Sequence, residues 1–297
     1  MKQPKAIPDH YPVIALAGNP NVGKSTLFNS LTTGKKQHTG NWIGKTTANA
    51  WGICHSPARD YTLVDIPGTY SLSSRSAEEE VARDFICFGA HQAVVIVCDA
   101  TCLERNLNLV LQILEATDRT LVCVNLLDEA EKKNIKTDIT KLSQQLGIPV
   151  AATSARSKKG LDKLMQAIES VALSKESNDI TLVYTSRIEN AISELLPLTE
   201  KIETDSRTKR FICLKLLQGD RDTVDSLCKK YGTAENYLKA LISAADKLTE
   251  NKFTDEIISC IFITAEGIAA ECVKHSADKK CVRDRKIDRI LTGKLTG

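Results

Sequence analysis

Apolar positions along the chain fall into two regimes. Up to about residue 175, short apolar runs alternate with longer segments whose apolar residues recur every three or four positions. The runs at 12–17, 93–99, 120–124 and 150–153 read as strands, and 93–99 has no polar alternation, as in a parallel sheet covered on both faces. Residues 47–55 and 60–64 alternate instead, with turn composition at 56–59, and read as two further strands. Helical spacing is found up to residue 33 and over 77–88, 103–116, 138–146 and 160–173, with Leu107, Val110, Leu111 and Leu114 on one face of the third segment. This alternation predicts an α/β fold with a mostly parallel sheet. After residue 178 the spacing is helical throughout, over 184–202, 210–218, 224–231, 234–248 and 253–273, with Pro197, Gly219-Asp220 and Gly232 as punctuation and no strand signal. The expected division is an α/β domain over 1–175, a small all-helical domain over 176–275, and a linker over 276–297.

The first strand runs into Gly18-Asn19-Pro20-Asn21-Val22-Gly23-Lys24-Ser25-Thr26, which opens the first helix. The G-x-x-x-x-G-K-S spacing is that of a phosphate loop, whose backbone N–H groups and helix N-terminus cradle phosphates. Gly18, Asn19, Asn21, Val22, Gly23 and Thr26 would surround the phosphates, Lys24 would reach the outer ones, and Ser25 would ligate Mg²⁺. Residues 40–47 are glycine-punctuated and aperiodic, which suits a mobile loop. Within it Thr46 is read as the switch threonine that closes on Mg²⁺ when a γ-phosphate is present, with Thr47 as runner-up and a strand-starting threonine as the bland alternative.

Asp65 ends a strand three residues before Gly68. In that setting the carboxylate would hold Mg²⁺ through a water and the glycine N–H would sense the γ-phosphate. The polar stretch 71–80 is expected to move with Gly68. Neither Thr69 nor Tyr70 could orient water as the glutamine of Ras-like enzymes does, so slow hydrolysis is expected; Glu78, Glu79 and Glu80 read mainly as an acidic first helical turn. Asn125 ends the strand at 120–124, and Asp128 follows three residues on, where its carboxylate would accept from N1–H and N2–H₂ of guanine. Leu126 stands where a lysine is usual, which removes packing over the base and predicts weaker, faster-exchanging nucleotide. A backbone N–H of Ser154-Ala155 would donate to guanine O6. Together the motifs define a GTP-binding domain of the Ras-like class.

Composition adds few constraints. The chain has 297 residues, 42% of them hydrophobic and 26% charged, with a net charge of +3, so no global field argues for nucleic acid or a membrane surface. Ten cysteines are scattered without a C-x-x-C pair, several inside apolar runs, which favours structural roles in a reducing cytoplasm. The N-terminus has no signal-peptide pattern, and no run reaches the ~18–20 apolar residues that cross a bilayer. The chain as given is therefore expected to be soluble.

The wording of these motifs is more specific than their chemistry. The phosphate loop continued by Leu27-Phe28-Asn29, Gly40-Asn41-Trp42 ahead of the switch threonine, and Asp65-Ile66-Pro67-Gly68-Thr69-Tyr70-Ser71-Leu72 resemble the cytosolic N-terminal region of FeoB-type ferrous iron transporters. Gly44-Lys45-Thr46-Thr47-Ala48 replaces that family's G-V-T-V-E, and Leu126 its usual methionine. The resemblance implies a G domain followed by a helical domain that slows GDP release and links to a membrane part. It implies GTP/GDP and Mg²⁺ as ligands, with K⁺ held by Asn21; asparagine also favours tight turns. It further implies a location on the cytoplasmic face of the inner membrane, a small cytosolic Feo-type partner, and room for an oligomer. Residues 278–293 resemble the family's K-I-D-R-x-L-T run before its first transmembrane helix, so the chain is expected to stop short of its own transmembrane domain.

The expected function is GTP hydrolysis that regulates or powers ferrous iron uptake. The rival from another class is a soluble GTPase of ribosome or tRNA metabolism, which would more often carry a basic RNA-binding module after residue 175; none is visible, and no nucleic-acid partner is expected. A phosphate-loop kinase would not need Asn125 and Asp128.

Overall fold

The computed structural model describes residues 11–32, 38–41, 48–57, 59–73, 76–174, 182–248 and 253–275. Thr46, Thr47 and the basic tail at 278–293 lie outside the described residues. In chain order the first part runs β1 (Val13–Gly18), α1 (Lys24–Leu31), β2 (His38–Asn41), β3 (Ala48–His55), β4 (Asp60–Asp65), α2 (Ala77–Phe88), β5 (Ala93–Asp99) and α3 (Leu103–Ala116). It continues with β6 (Thr120–Asn125), α4 (Leu127–Lys132), β7 (Ile135–Thr137), α5 (Ile139–Leu146), β8 (Val150–Ala152), a 3₁₀ turn (Ala155–Ser157) and α6 (Leu161–Leu173). The second part is α7 (Ser186–Leu195), a 3₁₀ turn (Leu196–Thr199), α8 (Ser206–Leu217), α9 (Arg221–Lys230), α10 (Glu235–Leu248), α11 (Phe253–Cys272) and β9 (Val273–His275).

Seven strands form one sheet in the order β2-β3-β4-β1-β5-β6-β8, with only β2–β3 and β3–β4 antiparallel. Because strand side chains alternate, Ile14, Leu16, Val95 and Cys123 face α1 and α6, while Ala15, Val94, Ile96 and Val122 face the other way. On that second face α3 packs against β5 and β6, and α8 and α11 of the helical part pack on α3 in turn. The core on this face runs from the sheet into the helical part without interruption. β1 lies between β4 and β5, so the strand order reverses at its C-terminal end, the usual place for a ligand crevice in such sheets.

The architecture is the expected one, with local corrections. Part of the stretch read as a break and a mobile loop is the edge strand β2, registered against β3 with His38 opposite Trp51. The segment expected as one helix over 184–202 stops at Leu195 and tightens into the 3₁₀ turn, because Pro197 cannot donate the next helical bond. α8 and α9 begin earlier than apolar spacing indicated, since Asp205 and Asp220 cap them by accepting from Thr208 N (2.8 Å) and Thr223 N (3.2 Å). The helical part does contain a strand: β9 pairs antiparallel with β7, and Asp138 N donates to Cys272 O (2.8 Å) beside it. Three residues are too few for a period-2 signal, so neither strand was legible.

Candidate functional site

Three strand ends converge at the reversal point: Gly18 closes β1, Asp65 closes β4 and Asn125 closes β6. The phosphate loop between Gly18 and Lys24 has backbone conformations that its residue types supply. Gly18 has φ 150°, and a Cβ there would stand 2.4 Å from Val97 O; Gly23 has φ 84°, and a Cβ would stand 2.5 Å from Asn125 Nδ2. Asn21 is exposed and left-handed, φ 66°, in keeping with the tight-turn preference of asparagine. Val22 and Asn19 are buried beneath the loop.

Lys24, Ser25 and Asp65 form one electrostatic unit. Ser25 Oγ donates to Asp65 Oδ2 (2.9 Å), and Asp65 Oδ1 is buried without a hydrogen-bond partner. Burial pushes the Asp65 carboxyl up from its ordinary value, while Lys24 and the Ser25 bond pull it back. Burial pulls the Lys24 ammonium down, and Asp65 raises it. Each charge offsets part of the other's desolvation. An orphaned, buried carboxylate oxygen beside a hydroxyl and an ammonium is a donor set suited to Mg²⁺ on a phosphate chain.

Asn125 has no exposed surface, and its amide bolts three loops together. Its Nδ2 donates to Val22 O (3.2 Å) in the phosphate loop; its Oδ1 accepts from Thr153 Oγ1 (3.1 Å) and Ala155 N (3.0 Å) in the loop after β8. Asp128 follows in the first turn of α4, where its backbone N donates to Ser154 Oγ (3.2 Å). The structure thus brings Asn125, Asp128, Ser154 and Ala155 together, as their spacing implied. One backbone N–H of the Ser154-Ala155 pair was expected for guanine O6; in the structure Ala155 N donates to Asn125 Oδ1 (3.0 Å) and Ser154 N to Lys159 O (3.1 Å). Thr153, fully buried between Asn125 and Cys123 Sγ (3.2 Å), was not anticipated; only its place before Ser154-Ala155 could have marked it. Leu126 is left-handed (φ 61°), with Cδ2 3.6 Å from where a Cβ on Gly23 would be, so it lies along the phosphate loop.

Gly68 abuts the phosphate loop: a Cβ on it would meet the Pro20 backbone at 3.0 Å, and Thr69 N donates to Gly18 O (3.3 Å). Thr69 is buried with its hydroxyl on Ser71 O (2.6 Å), and Tyr70 is exposed under the Arg105 guanidinium, 4.6 Å from the ring centroid. Glu78, Glu79 and Glu80 occupy the first turn of α2, capped by Ser76, as expected. The polar stretch after Gly68 holds one surprise. Leu72 is completely buried and its N–H donates to Gln112 Oε1 (3.0 Å) on α3.

The buried cysteines behave as apolar core. Burial pushes the thiols of Cys54, Cys87, Cys123 and Cys213 up to about 12. Among the described residues, no helix is long and apolar enough to cross a membrane.

Comparison with known proteins bears on the whole chain. Residues 12–168 match the profile of the family described as ferrous iron transport protein B, and residues 184–274 match the FeoB cytosolic helical domain. The Fe(2+) transporter FeoB of Salmonella typhimurium is 37% identical over 291 residues, covering 96% of this chain and 36% of its own length. The Escherichia coli K12 FeoB is 38% identical over 213 residues, covering 70% of this chain and 27% of its own length. The chain therefore spans about a quarter to a third of the length of these relatives. Among solved structures, the cytosolic domain of the T. maritima FeoB iron transporter in a GDP form has TM-score 0.74 and 31% identity, covering 90% of this chain and all of that one. An S. thermophilus NFeoB mutant bound to GDP has TM-score 0.75 and 29% identity, covering 89% of this chain and all of its own. The motifs, the sheet that presents them and the helical part match one set of proteins from end to end, and the chain belongs to the FeoB family of ferrous iron transport proteins, with a P-loop GTPase fold followed by the family's cytosolic helical domain.

Proposed function

We propose that this chain binds guanine nucleotide and hydrolyses GTP slowly, and that this cycle regulates or powers ferrous iron uptake through a membrane part of the same protein. The observation that carries the reading is the Lys24–Ser25–Asp65 unit at the mouth of the phosphate loop, with one buried carboxylate oxygen still lacking a partner. Residues 1–175 would be the G domain, 176–275 the helical domain, and 276–297 the connection toward the membrane, on the cytoplasmic face.

In the reaction Lys24 would neutralise the outer phosphates, and Gly68 would sense the γ-phosphate through its N–H. Ser25 would hold Mg²⁺ directly, Asp65 would hold it through a water, and Thr46 would close on it; the ion when bound spreads positive charge between the β- and γ-phosphates. Asp128 would read the N1–H and N2–H₂ edge of guanine, which adenine lacks, and Asn125 would hold the loops that surround the base. Water would attack in line, with positioning and charge neutralisation carrying most of the rate. The buried Thr69 hydroxyl and the Tyr70 ring under Arg105 support a low intrinsic rate, since neither aims a donor–acceptor pair at an attacking water. Asn21 would ligate K⁺, placing positive charge where an arginine finger otherwise acts.

Competition binding tests the core of this reading. GTP and GDP should displace a fluorescent guanine nucleotide while a hundredfold excess of ATP leaves it bound, and Asp128→Ala should abolish that preference; displacement by ATP would refute it. In cells, the full-length protein should sediment with membranes, and Lys24→Ala in it should stop Fe²⁺ uptake.

A further inference from the structure

The loop that leaves Gly68 is fastened at both ends. At its start it lies on the phosphate loop, through Thr69 N to Gly18 O (3.3 Å) and the contact of Gly68 with Pro20. At its far end Leu72 has no exposed surface, and its N–H is held by Gln112 Oε1 at 3.0 Å. Gln112 is itself oriented, since its Nε2 donates to Asn108 O (3.2 Å) one turn back on α3. The Leu72 side chain shares a pocket with Phe211 and Leu214 of α8 and Ile257 and Ile261 of α11, around a residual void of about 20 Å³, room for one water. A residue four positions past Gly68 is thus gripped jointly by α3 and the helical part.

That arrangement restricts Gly68. Three residues between Gly68 and Leu72 leave little slack, so a shift of the Gly68 N–H toward a γ-phosphate must either break the Leu72–Gln112 bond or draw Leu72 out of its pocket. Neither is free: a buried N–H without a partner and a leucine returned to water both raise the energy of the shifted state. We propose that Gln112 is a positioning residue for the γ-phosphate-sensing loop, and that with the Leu72 pocket it forms a latch through which the helical part sets how readily Gly68 engages a triphosphate. This rests on the guanine-nucleotide reading above. The coupling is reciprocal by linkage, so a bound γ-phosphate loosens the same pocket from within.

The test is the ratio of affinities for GDP and GMPPNP, measured with fluorescent analogues on Gln112→Leu and wild type. Leucine keeps bulk on α3 but cannot accept from the Leu72 N–H, so the resting loop loses its hydrogen bond. GMPPNP affinity relative to GDP should rise about two- to ten-fold. GDP affinity itself should move less than about two-fold, since the latch contacts no part of the diphosphate site. Amide exchange at Leu72 should quicken while α3 stays protected. A merely structural role for Gln112 would shift both affinities together. Ile261→Ala, which opens the pocket from the helical side and leaves Gln112 in place, should move the ratio in the same direction and stands in if Gln112→Leu does not fold. An unchanged ratio in a folded variant whose Leu72 amide exchanges faster would overturn the latch. Wild-type protein that binds neither nucleotide would instead sink the guanine reading itself, so the two failures are distinguishable.

Discussion

Replacing Asn125 by alanine separates two roles that its motif conflates. If the side chain acted only on guanine, nucleotide-free protein would be indifferent to the change. The structure argues otherwise, because the amide makes three protein hydrogen bonds in a site without exposed surface. At about 0.5–1.5 kcal/mol each, the bonds together are worth roughly 1.5–4.5 kcal/mol. Thr153 keeps the Cys123 thiol at 3.2 Å as a fallback partner, which lowers the cost; the buried Ala155 N–H loses the Asn125 acceptor, which raises it. The expected loss is about 2–4 kcal/mol. Urea unfolding of nucleotide-free Asn125→Ala against wild type measures it, with the midpoint falling and the slope retained. GDP affinity should fall as well, because the phosphate loop and the loop after β8 are no longer bolted. A loss under about 0.5 kcal/mol without nucleotide would refute the bolt and return Asn125 to a purely ligand-facing role.

Gly23→Ala should destabilise the same bolt, since its Cβ would fall 2.5 Å from Asn125 Nδ2 at φ 84°; in a double-mutant cycle with Asn125→Ala the two losses should be far from additive. Asp65→Asn should cost Mg²⁺-dependent nucleotide affinity at least ten-fold, read by titrating Mg²⁺ against GDP release, and it should also return the Lys24 ammonium to less support than burial demands. Glu115 on α3 is buried at the seam with the helical part, accepts from Leu182 N (3.2 Å) and is pushed by burial from 4.5 up to about 7. A raised carboxyl means that the folded state holds its proton where the unfolded chain has lost it. Stability should therefore fall as pH rises from about 4.5 to about 7, by an amount on the order of 3 kcal/mol, and stay level above; Glu115→Gln should flatten that slope in pH-dependent unfolding.

The elements that the sequence revealed are those whose physics is local and repeated. The apolar run of β5 and the Leu107–Leu114 stripe of α3 each repeat one signal over several residues, and both fall where periodicity put them. What was missed depends on partners far along the chain. β7 and β9 are three residues each and exist because residues 135–137 and 273–275 meet in space. The starts of α8 and α9 precede the apolar spacing because aspartate caps set them: Asp205 and Asp220 each accept from the N–H three residues on, and of the two only Asp220 stands in a stretch that reads as punctuation.

The same distinction explains the site. The convergence of Gly18, Lys24, Ser25, Asp65, Asn125 and Asp128 at three strand ends was legible because the motifs proposed for phosphate, metal and guanine place particular groups at fixed offsets from a strand end, in consecutive residues. Gln112, Thr153 and the burial of Leu72 were not, because they answer to the protein rather than to the ligand. Leu72 sits in a serine-rich polar stretch whose composition argues for exposure, yet a pocket shared by α3, α8 and α11 takes it in. Nothing local to residues 71–73 encodes that pocket; it is supplied by residues 112, 211, 257 and 261. A ligand-facing residue can be read from one motif, whereas a residue that sets the motif's position becomes visible only when the helices behind it are in place.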